Sequence, residues 1–488
     1  VPSERTIEPT HLTIDARPLP RSSPFARVLS GFAALAAGEV VDKLIAAAVS
    51  IYLARVLTAA GFGLVGYATA LATYFVLGVD LGLDFLATRE VARQPAAAGS
   101  YARRLIALRL AAATVVTACY LGVALVLPLE PAARVTVALY GLLFFPYALT
   151  PKGVLLGLER RRPWALAQVV GQLVFGAGCV AIVSSPAESW RVPVVQALAD
   201  TAQAAVALLA LRSLLRAPGA LGWPLLATLR QALPFAWAQG MRLLHYNFDV
   251  LLIYSLFGDA ANGAYLAAYK VVLFFIGFGA LYGLTLLPAI ARYYPRELAA
   301  LPHFVGSSLG LTSAVVLPIV VGGVILAEQG VELVYGPGYQ AAVLPLRILL
   351  LTVALTVLGS AFRNVLIGCD RQRQDLALVT AAAVLNVLLN LLITPRFGLA
   401  GAAVVTVCSD TVVLLGSWVL ARRLLGPVPL VRPLAPALVA TGVMAILLLV
   451  LLAWLPWPAA MVLAGLGYGG IFVRLGGLSQ LREALHAR

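Results

Sequence analysis

Long apolar runs follow one another along nearly the whole chain, separated by short polar clusters rich in Arg, Gly and Pro. A helix needs about 20 apolar residues to cross the hydrocarbon core, and runs of that length predict about 14 spans. They fall at 30–57, 61–83, 104–128, 132–157, 163–185, 191–215, 231–257, 262–290, 302–327, 341–368, 375–394, 399–421, 432–454 and 457–475. These runs are too long and too uniformly apolar for barrel strands, so the backbone must be satisfied within helices. The predicted fold class is an all-α polytopic membrane protein.

One stretch of the pattern is written twice. Lys152-Gly-Val-Leu-Leu-Gly157-Leu-Glu-Arg160-Arg-Arg162 matches Arg363-Asn-Val-Leu-Ile-Gly368-Cys-Asp-Arg371-Gln-Arg373 in charge placement as well as in apolar character. Ala199-Asp200-Thr201 answers Ser409-Asp410-Thr411, while Phe75 and Leu81 answer Phe275 and Leu281. Six spans per copy is an even number, so both copies enter the membrane the same way and are related by an axis along its normal. The expected organisation is a flexible tail at 1–27, a first lobe at 28–216 and an amphipathic interfacial linker at 217–230. A second lobe follows at 231–425, then two added spans within 426–476 and a tail at 477–488.

Composition agrees with the pattern: 61% of residues are hydrophobic, 11% are charged and the mean hydropathy is +0.94. Most of the 35 Lys and Arg fall in alternate connections, which places both termini on the cytoplasmic side of the cytoplasmic membrane. The net charge of +14 suits anionic lipid headgroups spread over many loops, and nucleic acid is not an expected partner. The four cysteines lack metal spacing, and no cofactor or metal is expected. No phosphate-cradling G-x-x-x-x-G-K-[ST] sequence is present, so transport would be ion-driven, partner-driven or passive. Gly61-Phe-Gly63-Leu-Val-Gly66 joins two spans rather than a strand and a helix, and reads as a tight turn with close helix packing. The outer connections are short, which argues against an enzyme.

Several segments resemble one known family. Gly61 to Tyr67 with Asp80-Leu-Gly-Leu and Thr88-Arg-Glu-Val-Ala-Arg93 looks like the second span and following loop of the polysaccharide transporters, the Wzx-like lipid-linked oligosaccharide flippases. Asn247-Phe-Asp249, Gly263 to Lys270, and Leu385-Asn386 through Asn390, Pro395 and Gly398 to Ala403 resemble later spans of that family. Its superfamily also holds multidrug exporters and lipid II flippases. The resemblance implies two six-helix lobes in a V, with alternating access moving a polyprenyl-diphosphate-linked glycan between them. Glycan polymerases and glycosyltransferases would be partners, and the transporter itself a monomer.

Charge inside the spans marks the candidate sites, because each charge costs roughly 2.5–3.5 kcal/mol at mid-bilayer on insertion scales. Lys43, Lys152, Arg242, Lys270 and Arg363 are the candidate substrate-binding cations, and all three lysines of the chain are among them. Lys152 and Arg363 occupy matching repeat positions and could flank one cavity and hold a diphosphate; equally, each could snorkel from its own helix end. Arg109 and Arg347 are expected to snorkel from span ends. Arg242, His245 and Asp249 share one face of the seventh span and, with Glu39 and Asp42 of the first, are the candidates for coupling to H+ or Na+. A static Arg242–Asp249 network and a Glu39–Lys43 pair are the structural rivals. The alternative functions are a multidrug or small-molecule cation antiporter of the same superfamily, which would present an acidic, aromatic cavity instead, and a lipid II flippase.

Overall fold

The apolar runs become helices in a computed structural model that describes residues 24–216, 225–294 and 298–477, and the described residues contain no strand. In chain order they are α1 (Pro24–Asp80), α2 (Leu83–Arg93), α3 (Ala98–Val126), α4 (Pro131–Leu139), α5 (Phe144–Leu149), α6 (Lys152–Gly157), α7 (Arg161–Ile182) and α8 (Arg191–Arg216). Then follow α9 (Leu225–Tyr293), α10 (Leu301–Ile325), α11 (Ala327–Tyr335), α12 (Val343–Gly368), α13 (Gln372–Leu425), α14 (Val431–Leu452) and α15 (Trp457–Arg474). Among the described residues, 10 segments are long and apolar enough to cross a membrane. The chain is an all-α polytopic membrane protein. Most of the N-terminal tail, the first part of the linker and the C-terminal tail lie outside the described residues, as does the side chain of Glu39.

Three of these segments are double-length helices, each broken at one residue of non-helical backbone: α1 at Thr58 (φ 61°, ψ 175°), α9 at Gly258 (φ 82°, ψ −174°) and α13 at Gly398 (φ 59°, ψ −143°). Thr58 and Gly258 stand at equivalent repeat positions with nearly the same bend. The written-twice stretch also closes on one turn. Glu159 (φ 56°) and Asp370 (φ 59°) both adopt the left-handed conformation, and the next amide donates five residues back, Arg160 to Leu155 at 2.9 Å and Arg371 to Leu366 at 2.7 Å. That bond satisfies a carbonyl at the helix end and is the usual reason for a left-handed residue there. Its acid therefore occupies the capping position that glycine more often fills.

The fourth predicted span, 132–157, is not one helix. It divides into α4, a 3-10 turn, α5 and α6, with Thr150 extended ahead of Pro151, because a proline cannot donate to the preceding turn and biases the residue before it away from the helix. Gly157 packs α6 against Thr88 and Val91 of α2, while Gly368 packs the end of α12 against Leu287 and Ile290 of α9. Between α7 and α8, Ser185 and Glu188 cap each other reciprocally, and the Ser184 N–H holds the Glu188 carboxyl below its ordinary value.

Contacts sort the helices into two groups. α1 to α8 pack among themselves, α9, α12 and α13 form a second cluster with α10 on α12, and α1 against α9 is the most extensive contact in the chain. α14 and α15 sit on α10, where Gly306 and Gly310 meet Pro429 and Pro433 and the Tyr468 hydroxyl donates to the Ala314 carbonyl at 2.6 Å.

Candidate substrate and ion-coupling sites

The buried polar residues of the second group meet between α9, α12 and α13. Helical spacing aims Arg242, His245 and Asp249 from one face of α9. His245 Nε2 lies 2.9 Å from Asp410 Oδ1, and the Thr356 hydroxyl donates to Asp410 Oδ2 at 3.4 Å. Asp249 accepts from the Tyr265 hydroxyl and from the Val250 N–H at 2.9 Å. His245, Asp249 and Asp410 are all buried. Arg363 is not free: its guanidinium forks onto Asp375 at 2.7 and 2.9 Å. Arg242, His245, Thr356, Arg363 and Asp410 line one cavity of about 80 Å³.

A ladder of amides ties the two halves of α13 beside this cluster. Asn386 donates to Ser409 at 3.0 Å, Asn390 to Asn386 at 3.0 Å and Thr394 to Asn390 at 2.8 Å. All four are buried, so the ladder satisfies polar groups that lipid could not.

In the first group the centre is Arg109, which is fully buried and does not snorkel. It pairs with Asp80, lies 3.1 Å from Asp84 and donates to the Thr150 carbonyl at 3.2 Å. Two carboxylates at the α1–α2 junction would be stranded if the guanidinium left for the interface, which is why it stays. Gln239 of α9 reaches across to Asp80 at 3.2 Å, and the Gly153 N–H donates to Asp84 at 2.8 Å. Arg347, by contrast, is half-buried, 3.9 Å from Glu328.

The lysines are placed differently. The Lys43 stem runs from α1 onto α9, its Cε about where a side chain on Gly277 would press, 3.0 Å away. Lys270 lies seven residues before Gly277, so both positions share a face of α9. Lys270 and Arg242 are exposed, while Lys43 and its neighbour Asp42 are half-buried. Lys152 is exposed, with Nζ 5.4 Å from the Trp164 ring centre, a cation–π contact within the first repeat.

A family model described as polysaccharide biosynthesis protein matches residues 28–294, more than half of the chain. The chain belongs to that family. Among curated proteins, none matches the sequence significantly. The lipid II flippase MurJ in an inward closed conformation is similar in fold, with TM-score 0.58 and 10% identity, covering 94% of this chain and 99% of that one. A MOP superfamily transporter from Pyrococcus furiosus aligns at TM-score 0.57 and 16% identity, covering 83% and 96%. The eukaryotic MATE transporter AtDTX14 aligns at 0.57 and 15%, covering 86% and 99%.

Of the residues singled out from sequence, the fold of this family member gathers Arg242, His245 and Arg363 around one cavity with Asp410, while Asp249, one turn further along α9, is outside its lining. Arg242 and Asp249 make no direct pair among the described residues. Lys43 packs on α9 at Gly277, two turns beyond Lys270 on the same face. Lys152 does not line the Arg363 cavity. Asp375, Thr356 and Tyr265 had no sequence signal as partners, since each reaches its carboxylate or cation only through tertiary packing.

Proposed function

We propose that the protein is an alternating-access flippase carrying a polyprenyl-diphosphate-linked oligosaccharide across the cytoplasmic membrane for polysaccharide or O-antigen assembly. In this reading it has about 14 spans, in lobes at 28–216 and 231–425 with an added helix pair, and both termini are cytoplasmic. One observation carries it: the described intramembrane acids are engaged, whereas three of the intramembrane cations are not. Asp80 and Asp84 are held by Arg109, Asp249 by Tyr265, Asp410 by His245, and Asp200 by Gln196 at 2.8 Å. Lys43, Lys270 and Arg242 make no ion pair or hydrogen bond among the described residues. Unpaired cations at membrane depth favour an anionic substrate, and two phosphates linked to a sugar supply that charge. Lys43 from one repeat and Lys270 from the other take the headgroup, with Arg242 as a third contact; Lys152 and Arg363, each already engaged, guard its entry. Proton or sodium coupling runs through Asp249 and His245, with Asp42 and Glu39 on the first span.

A second reading within the same mechanism has the solved structures on its side. MurJ covers too much of the chain to leave out both α14 and α15, which favours lipid II as cargo. The buried His245–Asp410 and Asp249 groups favour cation exchange of the kind MATE transporters suggest. One experiment separates the three. Purified protein in vesicles is supplied with a labelled polyprenyl-diphosphate glycan, with lipid II, or with a lipophilic cation. The glycan should flip, and Lys43→Gln with Lys270→Gln should slow it at least tenfold. Export of the cation, unimpaired in that double variant, would overturn the proposal.

A further inference from the structure

The helix that closes each repeat ends differently in its two copies. With Asp200 answering Asp410, Leu208 answers Trp418, Arg212 answers Arg422 and Arg216 answers Gly426. Burial keeps the same register, since Ala207 and Ser417, like Leu211 and Ala421, are fully buried at matching places in α8 and α13. In the second copy the Arg422 guanidinium lies over the Trp418 ring, 5.6 Å from its centre. A cation–π contact of this kind engages both groups. In the first copy a leucine stands where the indole would be. An open groove of about 500 Å³ lies there instead, lined by Ala205, Leu208, Leu209, Arg212, Leu215 and Arg216, all on one face of α8.

Arginines at the end of a helix usually serve its last carbonyls. At the end of α8 other residues have that task. Arg103 donates to the Leu214 and Leu215 carbonyls at 3.4 and 3.1 Å, and Arg160 donates to the Ala210 carbonyl at 2.8 Å. Arg212 and Arg216 are exposed, and neither makes an ion pair or a hydrogen bond among the described residues. One turn apart, their Cβ atoms stand about 5–6 Å from each other, so both guanidinium forks can reach a single phosphate. Ala205 lies about 10 Å deeper along the helix, and the wall between is apolar, with Leu209 63% exposed. Two cations at the end of a membrane span, above an apolar wall, match an anionic headgroup and the chain below it. A soluble anion would gain nothing from the leucines. A zwitterionic headgroup brings its own cation and gains less from the arginines.

We propose that this face of α8 binds one anionic phospholipid, its phosphate on Arg212 and Arg216 and one acyl chain along Ala205, Leu208 and Leu209, at a place that the second copy fills with Trp418. This site is independent of the cargo, and with a cytoplasmic N-terminus its lipid belongs to the cytoplasmic leaflet.

The test counts lipid bound to the purified full chain by native mass spectrometry, with dioleoyl phosphatidylglycerol as the probe. The tightest phosphatidylglycerol site of the unaltered protein should weaken at least tenfold in Arg212→Gln with Arg216→Gln. Leu208→Trp gives the first copy a ring that the second already accommodates, so it should fold, keep both arginines and still weaken that site at least fivefold. Arg422→Gln, in the copy whose groove is filled, should change nothing. Phosphatidylglycerol held by either α8 variant as tightly as by the unaltered protein would overturn the site, and an equal loss in Arg422→Gln would reduce it to general surface charge. Should the double Gln variant fail to fold, Leu208→Trp alone decides. Displacement by inorganic phosphate at the lipid's own concentration, or dioleoyl phosphatidylcholine bound as tightly as phosphatidylglycerol, would equally overturn the anionic-lipid assignment.

Discussion

At the scale of single residues, the first-group charge network is a buried ion cluster whose disruption is costly. Arg109 is fully buried between Asp80 and Asp84, and both acids sit where the chain turns from α1 into α2. Removing one partner of a buried pair leaves an uncompensated charge and costs about 3–5 kcal/mol. Arg109→Gln is therefore expected to lower the thermal midpoint of the protein in detergent strongly. Adding Asp80→Asn and Asp84→Asn should restore much of the loss, because a neutral network needs no counter-ion. Equal midpoints for the single and triple variants would mean that Arg109 acts through packing alone.

At the scale of elements, the bend in α1 is the strained copy of a feature that α9 makes without strain. Thr58 and Gly258 share a backbone conformation that glycine adopts freely and a β-branched residue does not. Holding a threonine there costs about 1–3 kcal/mol, while a glycine loses about 0.5–1 kcal/mol of chain entropy. Thr58→Gly should therefore stabilise the protein by about 1 kcal/mol, and Gly258→Thr should destabilise it by about 1–3 kcal/mol. Thermal unfolding of the two variants side by side checks both signs. Loss of stability in Thr58→Gly would show that the threonine side chain holds the bend through contacts that outweigh its strain.

At the scale of the whole molecule, the second-group cluster connects α9 to α12 and α13, so a charge change there reaches three helices together. Asp249 accepts from Tyr265, and an asparagine keeps an oxygen in that place. Asp249→Asn should thus fold normally, but its flipping should no longer respond to a pH gradient, because a coupled carrier needs a group whose charge differs between its two states. Vesicles with an imposed gradient measure this directly. A response equal to that of the unaltered protein would remove Asp249 from coupling.

The sequence by itself determined the class, an all-α polytopic membrane protein. Apolar length decides what crosses lipid, and helices satisfy their own backbone there whatever their neighbours do. The written-twice stretch was legible because its charge pattern survives in sequence, and in the structure both copies end on the same left-handed turn, at Glu159 and Asp370. The local break at Thr150–Pro151 was also written in the chain, though an uninterrupted apolar run concealed it. Partnership was not legible. Arg109 looked like a snorkelling helix end because its carboxylates lie 25 and 29 residues away, and Arg363 looked free because Asp375 stands beyond a turn. His245 finds Asp410 across 165 positions of sequence. Hydropathy reports how each segment meets lipid, whereas pairing depends on which helix faces which, and only the packed tertiary structure decides that.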